Sequence, residues 1–244
     1  MTAAAALTVD RCPVAANKAG QYAFLNIAEL SVVEYHPFTI SSAPSDGELT
    51  FHVKSMGEGK FSGRLLSLVA QEDEDSDGRG AALTLSVDGP HGVTIEHEKY
   101  RSILFVAGGI GVTPCLAAFR HLRKLCAAQQ WRCANVKLLW VAKTTSLFDV
   151  FSAQLAEATA APASGEEGQF AVELYSTQGK VSLGGHPVAP GRPDLAGAID
   201  AICAGDEPAC SCLVFACGPA GMVAAARSRA VERGCHFHAE SFEL

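Results

Sequence analysis

The chain has 244 residues, 48% hydrophobic and 18% charged, enough for one large packed domain or two modest ones. A net charge of −7 argues against general nucleic-acid binding and leaves room only for a local basic pocket. No apolar run approaches the roughly 18 residues needed to span a membrane, and Met1-Thr2-Ala3-Ala4-Ala5-Ala6-Leu7 lacks the basic stretch of a secretory leader, so the expectation is a soluble, cytoplasmic chain as it stands. The nine cysteines are irregularly spaced, and the Cys210/Cys212 pair has no second pair at zinc-site spacing. They read as reduced thiols used as small core residues, with zinc a remote alternative and no metal site expected.

Residues 7 to about 87 read as β-rich, with short apolar runs broken by Gly, Pro, Asp and Ser. Candidate strands are Leu7–Arg11, Tyr22–Asn26, Phe38–Ser42, Leu49–Lys54 and Leu83–Val87, the spacing of a small antiparallel barrel. Within them His36-Pro37-Phe38-Thr39-Ile40-Ser41-Ser42-Ala43-Pro44 combines a ring nitrogen, an aromatic face and three hydroxyls. A strand alternates such side chains between its faces. The mixture suits a large flat ligand carrying a polar ring and phosphates; it also suits a plain edge strand ended by Pro44. Phe61–Val69 reads as a short helix with Ser62 as its N-cap. The acidic run Gln71–Gly78 reads as a solvated loop without calcium-site spacing.

From about Tyr100 strand and helix alternate, the signature of a parallel α/β sheet. Expected strands are Ile103–Ala107, Val136–Ala142, Val172–Ser176, Leu213–Cys217 and His236–Phe242. Expected helices are Pro114–Gln130, Leu147–Ala158, Leu195–Cys203 and Met222–Arg233. Leu116, Phe119, Leu122 and Leu125 recur at helical spacing in the first helix. Stretches 160–168 and 184–193 read as Ala/Gly/Pro-rich loops. The domain division falls at residues 1–97 and 98–244.

Gly108-Gly109-Ile110-Gly111-Val112-Thr113-Pro114 follows the buried strand and opens the helix. Glycine lets backbone approach a phosphate, Thr113 can cap the helix and Pro114 fits its first position. The free N–H groups and helix dipole favour an anion there. Pro114 replaces the third glycine of the dinucleotide fingerprint. The next strand ends in Lys143-Thr144-Thr145, with no acidic residue for a ribose 2′-hydroxyl, so NADPH is favoured over NADH. Arg192 and Lys180 are weaker phosphate candidates. Cys217-Gly218-Pro219 ends another buried strand at the same crevice of the sheet. No base stands beside Cys217 in sequence to activate it, so a steric role against a nicotinamide ring is the better reading.

Taken in order, GQYAFLN, HPFTISSAP, FHVKSMGEGKFSGRL, DGPHG, VAGGIGVTP, LLWVAK, GRPDL, FACGP and ESFEL resemble the ferredoxin-NADP reductase superfamily. The nearest branch is the flavin-bearing dehydrogenase region of ferric-chelate reductases and NADPH oxidases. The resemblance implies an N-terminal antiparallel FAD-binding barrel, incomplete if its first strand is missing, followed by a Rossmann-like NADP-binding domain. It implies His36, Pro37, Phe38, Thr39, Ser41 and Ser42 at FAD, with Phe38 against the isoalloxazine and Thr39 near flavin N5. Lys54, Phe61, Ser62 and Gly63 would hold the FAD pyrophosphate. Gly89, Pro90 and Gly92 would border flavin and NADPH. Gly109, Gly111, Val112, Thr113 and Pro114 would bind NADPH, with Lys143 and Arg192 as phosphate cations. Cys217, Gly218 and Pro219 would lie by the nicotinamide, and Phe242 would cover the other flavin face. Thr39, Cys217 and Phe242 are thus the residues nearest the chemistry.

The sequence departs from the family in three places. Relatives often carry Arg where Lys143 stands. Glu243 and Leu244 follow Phe242, where oxidase relatives end. Those relatives also carry haem-binding membrane helices upstream, and only about twenty residues precede Gln21 here. The expectation is a fragment or excised domain at the cytosolic face of a membrane. Its electrons would pass to a haem-bearing transmembrane region and on to ferric chelates or dioxygen, with no nucleic-acid partner. Two alternatives stand beside it: a soluble flavin reductase with a separate protein acceptor, and a flavin-free interaction fragment.

Overall fold

A computed structural model describes residues 4–9, 17–75, 83–161, 169–178, 186–204 and 211–240. The chain divides into two compact units, Met1–Thr94 and Ile95–Leu244.

In the first unit, alternating apolar residues build five strands: β1 (Ala4–Val9), β2 (Tyr22–Ile27), β3 (His36–Thr39), β4 (Leu49–Lys54) and β5 (Leu85–His91). They form two antiparallel sheets, β1-β4 and β3-β2-β5, joined by an isolated bridge between Ile40 and Phe51. A strand therefore stands ahead of Tyr22, paired along β4 with Leu7 opposite Phe51. Ala23, Leu25, Ile40, Leu49 and Phe51 form the core between the sheets. Leu25 and Phe51 are fully buried, each worth about 1.5–3 kcal/mol of hydrophobic burial.

Helix α1 (Phe61–Asp75) covers a second cluster of Ile27, Val53, Phe61 and Leu65. The helix runs six residues past Val69, so Gln71–Asp75 is helical rather than loop. Gln71, Glu72 and Glu74 are good helix formers, and no Gly or Pro interrupts before Gly78. Ser62 is not the cap. It lies inside the first turn, where its Oγ accepts from the Met56 amide at 3.1 Å and ties down the preceding loop.

The second unit is a six-stranded parallel sheet of β6 (Ser102–Gly108), β7 (Asn135–Ala142), β8 (Gln169–Ser176), β9 (Val188–Pro190), β10 (Cys212–Cys217) and β11 (His236–Glu240). Its order is β11-β10-β6-β7-β8-β9. Every residue of β6 and β10 is buried, as their unbroken apolar runs require for central strands. Helices α5 (Leu195–Ile202) and α6 (Ala220–Glu232) pack Ile199, Ala226 and Ala230 against Leu104, Val106, Val214 and Ala216. By strand alternation, α2 (Val112–Ala127) and the α3–α4 pair (Ser146–Val150, Ser152–Thr159) cover the other face.

Three expectations change here. β9 arises inside a stretch read as loop, because three residues pairing with β8 leave too short a signature to see. The single helix read over 147–158 is two pieces meeting at Phe151. Helix α2 starts at Val112, with Gly111 as N-cap and no side-chain cap. Thr113 therefore sits within the first turn, its Oγ1 donating to the Ile110 carbonyl at 3.1 Å. Pro114 is the third helical residue, where its missing N–H still costs no helix bond.

Candidate functional site

In the first unit β3 is an edge strand, and its register separates the residues of the HPFT stretch. His36 and Phe38 pair with Leu25 and Ala23, and Thr39 pairs with Tyr22. Phe38 is half-buried and packs onto both clusters of the unit. Thr39 lies on the opposite face, 6% exposed. A flat ligand meets both only along the edge of β3. Tyr22 also pairs with His91 on β5, so Thr39, Tyr22 and His91 form a row across the sheet. The Tyr22, Phe24 and His91 rings lie with centroids 5.5–5.8 Å apart. β5 continues through Gly89 and Pro90 to His91, and Gly92 follows with a positive φ of 91°.

Ser41 and Ser42 serve the fold. Ser41 Oγ lies 2.8 Å from the Thr50 carbonyl and 2.6 Å from His52 Nδ1, and Ser42 Oγ accepts from the Thr50 amide at 3.1 Å. These bonds pin the end of β3 to β4.

At the start of α1, His36 stacks on Phe61 with centroids 4.1 Å apart, and Phe38 lies 6.2 Å from the same ring. A Cβ on Gly63 would stand 2.0 Å from the Gly57 carbonyl oxygen, so only glycine admits the 55–60 loop against the helix. The first turn carries no acidic residue. Lys54 ends β4 beside this loop. Arg64 gives Nη2 to Glu34 at 2.6 Å, and its buried Nε has no hydrogen-bond partner among the described residues. A helix start, an unspent buried guanidinium N–H and a paired aromatic surface fit a pyrophosphate joined to a flat ring. These residues therefore fit FAD.

In the second unit the strand ends converge on the glycine turn, a 3₁₀ turn over Gly109–Gly111. A Cβ on Gly111 would meet the Cys217 carbonyl oxygen at 2.4 Å, and one on Gly108 would meet Pro219 Cδ at 2.4 Å. One on Gly218 (φ +152°) would meet Gly108 Cα at 2.8 Å. The turn after β6 and the turn after β10 thus touch backbone to backbone at the start of α2. That is the cradle a dinucleotide phosphate needs, and the residues fit NAD(P).

Cys217 is fully buried at this contact. Burial, with the Glu240 carboxylate adding to it, pushes its thiol up to about 12. Burial also holds Cys115 well above the usual thiol range. Cys217 is accordingly a packing residue rather than a nucleophile.

Lys143 and Arg192 stand exposed just past β7 and β9. Ser176, at the end of the intervening β8, gives its Oγ to the Lys143 carbonyl at 3.2 Å, and its own carbonyl accepts the Gly191 amide at 2.7 Å. One residue thus sets both cation-bearing turns at the same edge of the sheet. Thr144 Oγ1 and Ser146 Oγ lie 2.9 Å apart beside Lys143.

Phe242, Lys180 and Cys210 lie outside the described residues. Four residues to which the sequence alone assigns no role enter the geometry: Tyr22, Arg64, Trp140 and Ser176. Tyr22, Arg64 and Trp140 stand inside legible motifs, but only pairing and burial assign their side chains.

An antiparallel β unit whose first helix opens beside a tight glycine contact is thus followed by a parallel α/β unit with a glycine turn at the start of a helix. Residues 5–95 match the FAD-binding domain family, and residues 100–185 match the ferric reductase NAD binding domain family. A superoxide-generating NADPH oxidase heavy chain of Dictyostelium discoideum is 31% identical over 156 residues, covering 57% of this chain and 22% of that protein. Dual oxidase 1 of Sus scrofa is 32% identical over 134 residues, covering 54% of this chain and 8% of that protein. The chain thus spans less than a third of the length of these relatives.

Two solved structures share the fold. A ferredoxin NADP+ reductase from Neisseria gonorrhoeae with bound FAD and NADP aligns at a TM-score of 0.68 and 14% identity, over 96% of this chain and 91% of that one. A flavohemoglobin from Malassezia yamatoensis with bound FAD and heme aligns at 0.66 and 23%, over 98% and 56%. In chain order, then, a match to the FAD-binding domain family is followed by a match to the ferric reductase NAD binding domain family.

Proposed function

We propose that the chain is the dehydrogenase part of an electron-transfer enzyme that oxidises NADPH through FAD and passes electrons singly to an acceptor. The observation that carries this reading is the glycine turn closed against Cys217–Gly218 at the start of α2, in a unit that follows the match to an FAD-binding domain. When bound, the two cofactors supply the chemistry: a hydride passes from the nicotinamide to the flavin, and the electrons then leave one at a time. The protein binds, orients and excludes water, and no general acid or base is required of it.

On this reading His36, Pro37, Phe38, Thr39 and the row with Tyr22 and His91 line the flavin. Lys54, Phe61, Ser62, Gly63 and Arg64 hold the pyrophosphate. Gly109, Gly111, Val112, Thr113 and Pro114 hold NADPH, and Cys217, Gly218 and Pro219 pack at the nicotinamide. Lys143 and Arg192 select the 2′-phosphate, supported by two exposed cations at one sheet edge with no carboxylate among residues 143–146. The acceptor is a haem-bearing membrane region with dioxygen or a ferric chelate beyond it, a reading supported by the oxidase relatives. The chain would then work at the cytosolic face of a membrane. Among the described residues no helix is long and apolar enough to cross one.

The test is reduction of ferricyanide by the FAD-loaded chain with NADPH and with NADH. NADPH should be preferred at least tenfold in kcat/KM, and Lys143→Ala should erase most of that preference. Equal use of the two nucleotides by the unaltered protein would overturn the 2′-phosphate assignment; no reduction with either would overturn the reductase reading.

A further inference from the structure

We infer that Trp140 is a positioning residue for the nicotinamide dinucleotide, acting through the glycine turn; this rests on the proposed function. Trp140 lies in β7 opposite Ala107 of β6 and is fully buried. Its indole Nε1–H donates to the Gly109 carbonyl at 2.9 Å. The Val112 amide at the start of α2 donates to the same oxygen. The Gly109 carbonyl therefore accepts two bonds, one from the helix it initiates and one from the neighbouring strand. Gly109 itself has a φ of +58°, with nothing within 4 Å of a Cβ. Side-chain packing does not hold this residue in place; the two bonds to its carbonyl do, and only the one from Trp140 comes from outside the turn and its helix.

The indole is in turn held rigidly. Phe148 and Phe151 meet it edge-on, with centroids at 4.5 Å and 5.3 Å and interplanar angles of 83° and 84°. The break between α3 and α4 falls at Phe151 and brings both rings to the indole. The turn is thus fixed from two sides: by glycine-to-backbone contact with Cys217 and Gly218 on the β10 side, and by a hydrogen bond from Trp140 on the β7 side. Removing the second leaves the Gly109 carbonyl held by the Val112 amide alone, so the peptide after Gly109 is less firmly fixed. On the proposed function, the turn that would hold the dinucleotide then loses its alignment, although Trp140 itself is fully buried beneath it.

Trp140→Phe keeps an aromatic ring between Phe148 and Phe151 but deletes the donor together with some buried volume, and the 2′-AMP control below separates the two effects. In the FAD-loaded chain it is expected to raise KM for NADPH, and the dissociation constant for NADP+ by calorimetry, about three- to tenfold, the range of one net hydrogen bond. The kcat should change less than twofold and FAD content not at all. Affinity for 2′-AMP, which lacks the pyrophosphate, should hold. Trp140→His, which retains a ring N–H, should recover part of the NADP+ affinity.

Unchanged NADP+ affinity in Trp140→Phe would overturn the inference, as would equal weakening of NADP+ and 2′-AMP, which marks general loosening of the unit. If Trp140→Phe fails to fold, the Trp140→His protein decides alone, overturning the inference if it binds NADP+ no better than 2′-AMP. An unaltered protein that binds no NADP+ would instead sink the proposed function.

Discussion

Gly111 and Cys217 meet without room for a methyl group: a Cβ on Gly111 would lie 2.4 Å from the Cys217 carbonyl oxygen and 3.0 Å from its Sγ. Gly109, two residues earlier, has open space around its Cβ position and a φ of +58°. The two glycines of the turn are thus required for different reasons, one for close approach and one for backbone conformation.

Gly111→Ala should force the turn away from β10 and abolish NADPH binding, with the second unit destabilised by about 2–4 kcal/mol. Gly109→Ala should cost only about 1 kcal/mol of left-handed strain. Thermal melts with and without NADP+ check the pair, and equal effects would contradict the geometry.

Gly63→Ala should empty the first unit of FAD. The added Cβ meets Gly57 backbone at 2.0 Å, which a side-chain rotation cannot relieve. FAD retention measured by absorbance after gel filtration should fall at least tenfold, while NADP+ binding by the same protein should be untouched. Full FAD retention would place the pyrophosphate elsewhere.

Cys217 should resist alkylation. With its thiol pushed up to about 12 by burial and by Glu240, it stays protonated under ordinary labelling conditions. Peptide mapping after iodoacetamide treatment at about pH 8 should find Cys217 unmodified in the native protein and modified after unfolding. Rapid native labelling with loss of activity would show a reactive thiolate instead.

Glu157 joins α4 to α2. Burial alone would raise its carboxyl, but hydrogen bonds from Arg120 and Lys124 outweigh it and hold the group below its ordinary value of 4.5. Arg120 is 7% exposed and its Nε reaches Glu157 at 2.8 Å. Because the folded value is the lower one, the stabilisation is complete above about pH 4.5 and is lost as pH falls through the folded value. Glu157→Gln should cost about 1–2 kcal/mol at neutral pH and flatten the dependence of Tm on pH below 4.5. A variant with the unaltered acid profile would remove Glu157 from the account.

The parts legible in sequence are those with a strong local signal. The apolar runs at 103–107 and 213–217 mark central strands, and Gly108–Pro114 marks the turn between β6 and α2. Signals shared by two structures mislead: Ser62 and Thr113 look like caps, yet each hydroxyl bonds within its own turn or loop. Acidic residues 71–75 look like loop but extend a helix. Pairing across distant strands leaves no trace in the sequence. The Ser41–His52 contact, the Thr39–Tyr22–His91 row and the tie from Trp140 to Gly109 all join residues whose separation along the chain carries no pattern.

The central claim is tested most directly by the visible spectrum of the purified chain after incubation with FAD, followed by anaerobic addition of NADPH. The account expects bound flavin that bleaches faster with NADPH than with NADH. A protein that takes up no flavin, or one whose flavin stays oxidised with both nucleotides, would contradict it.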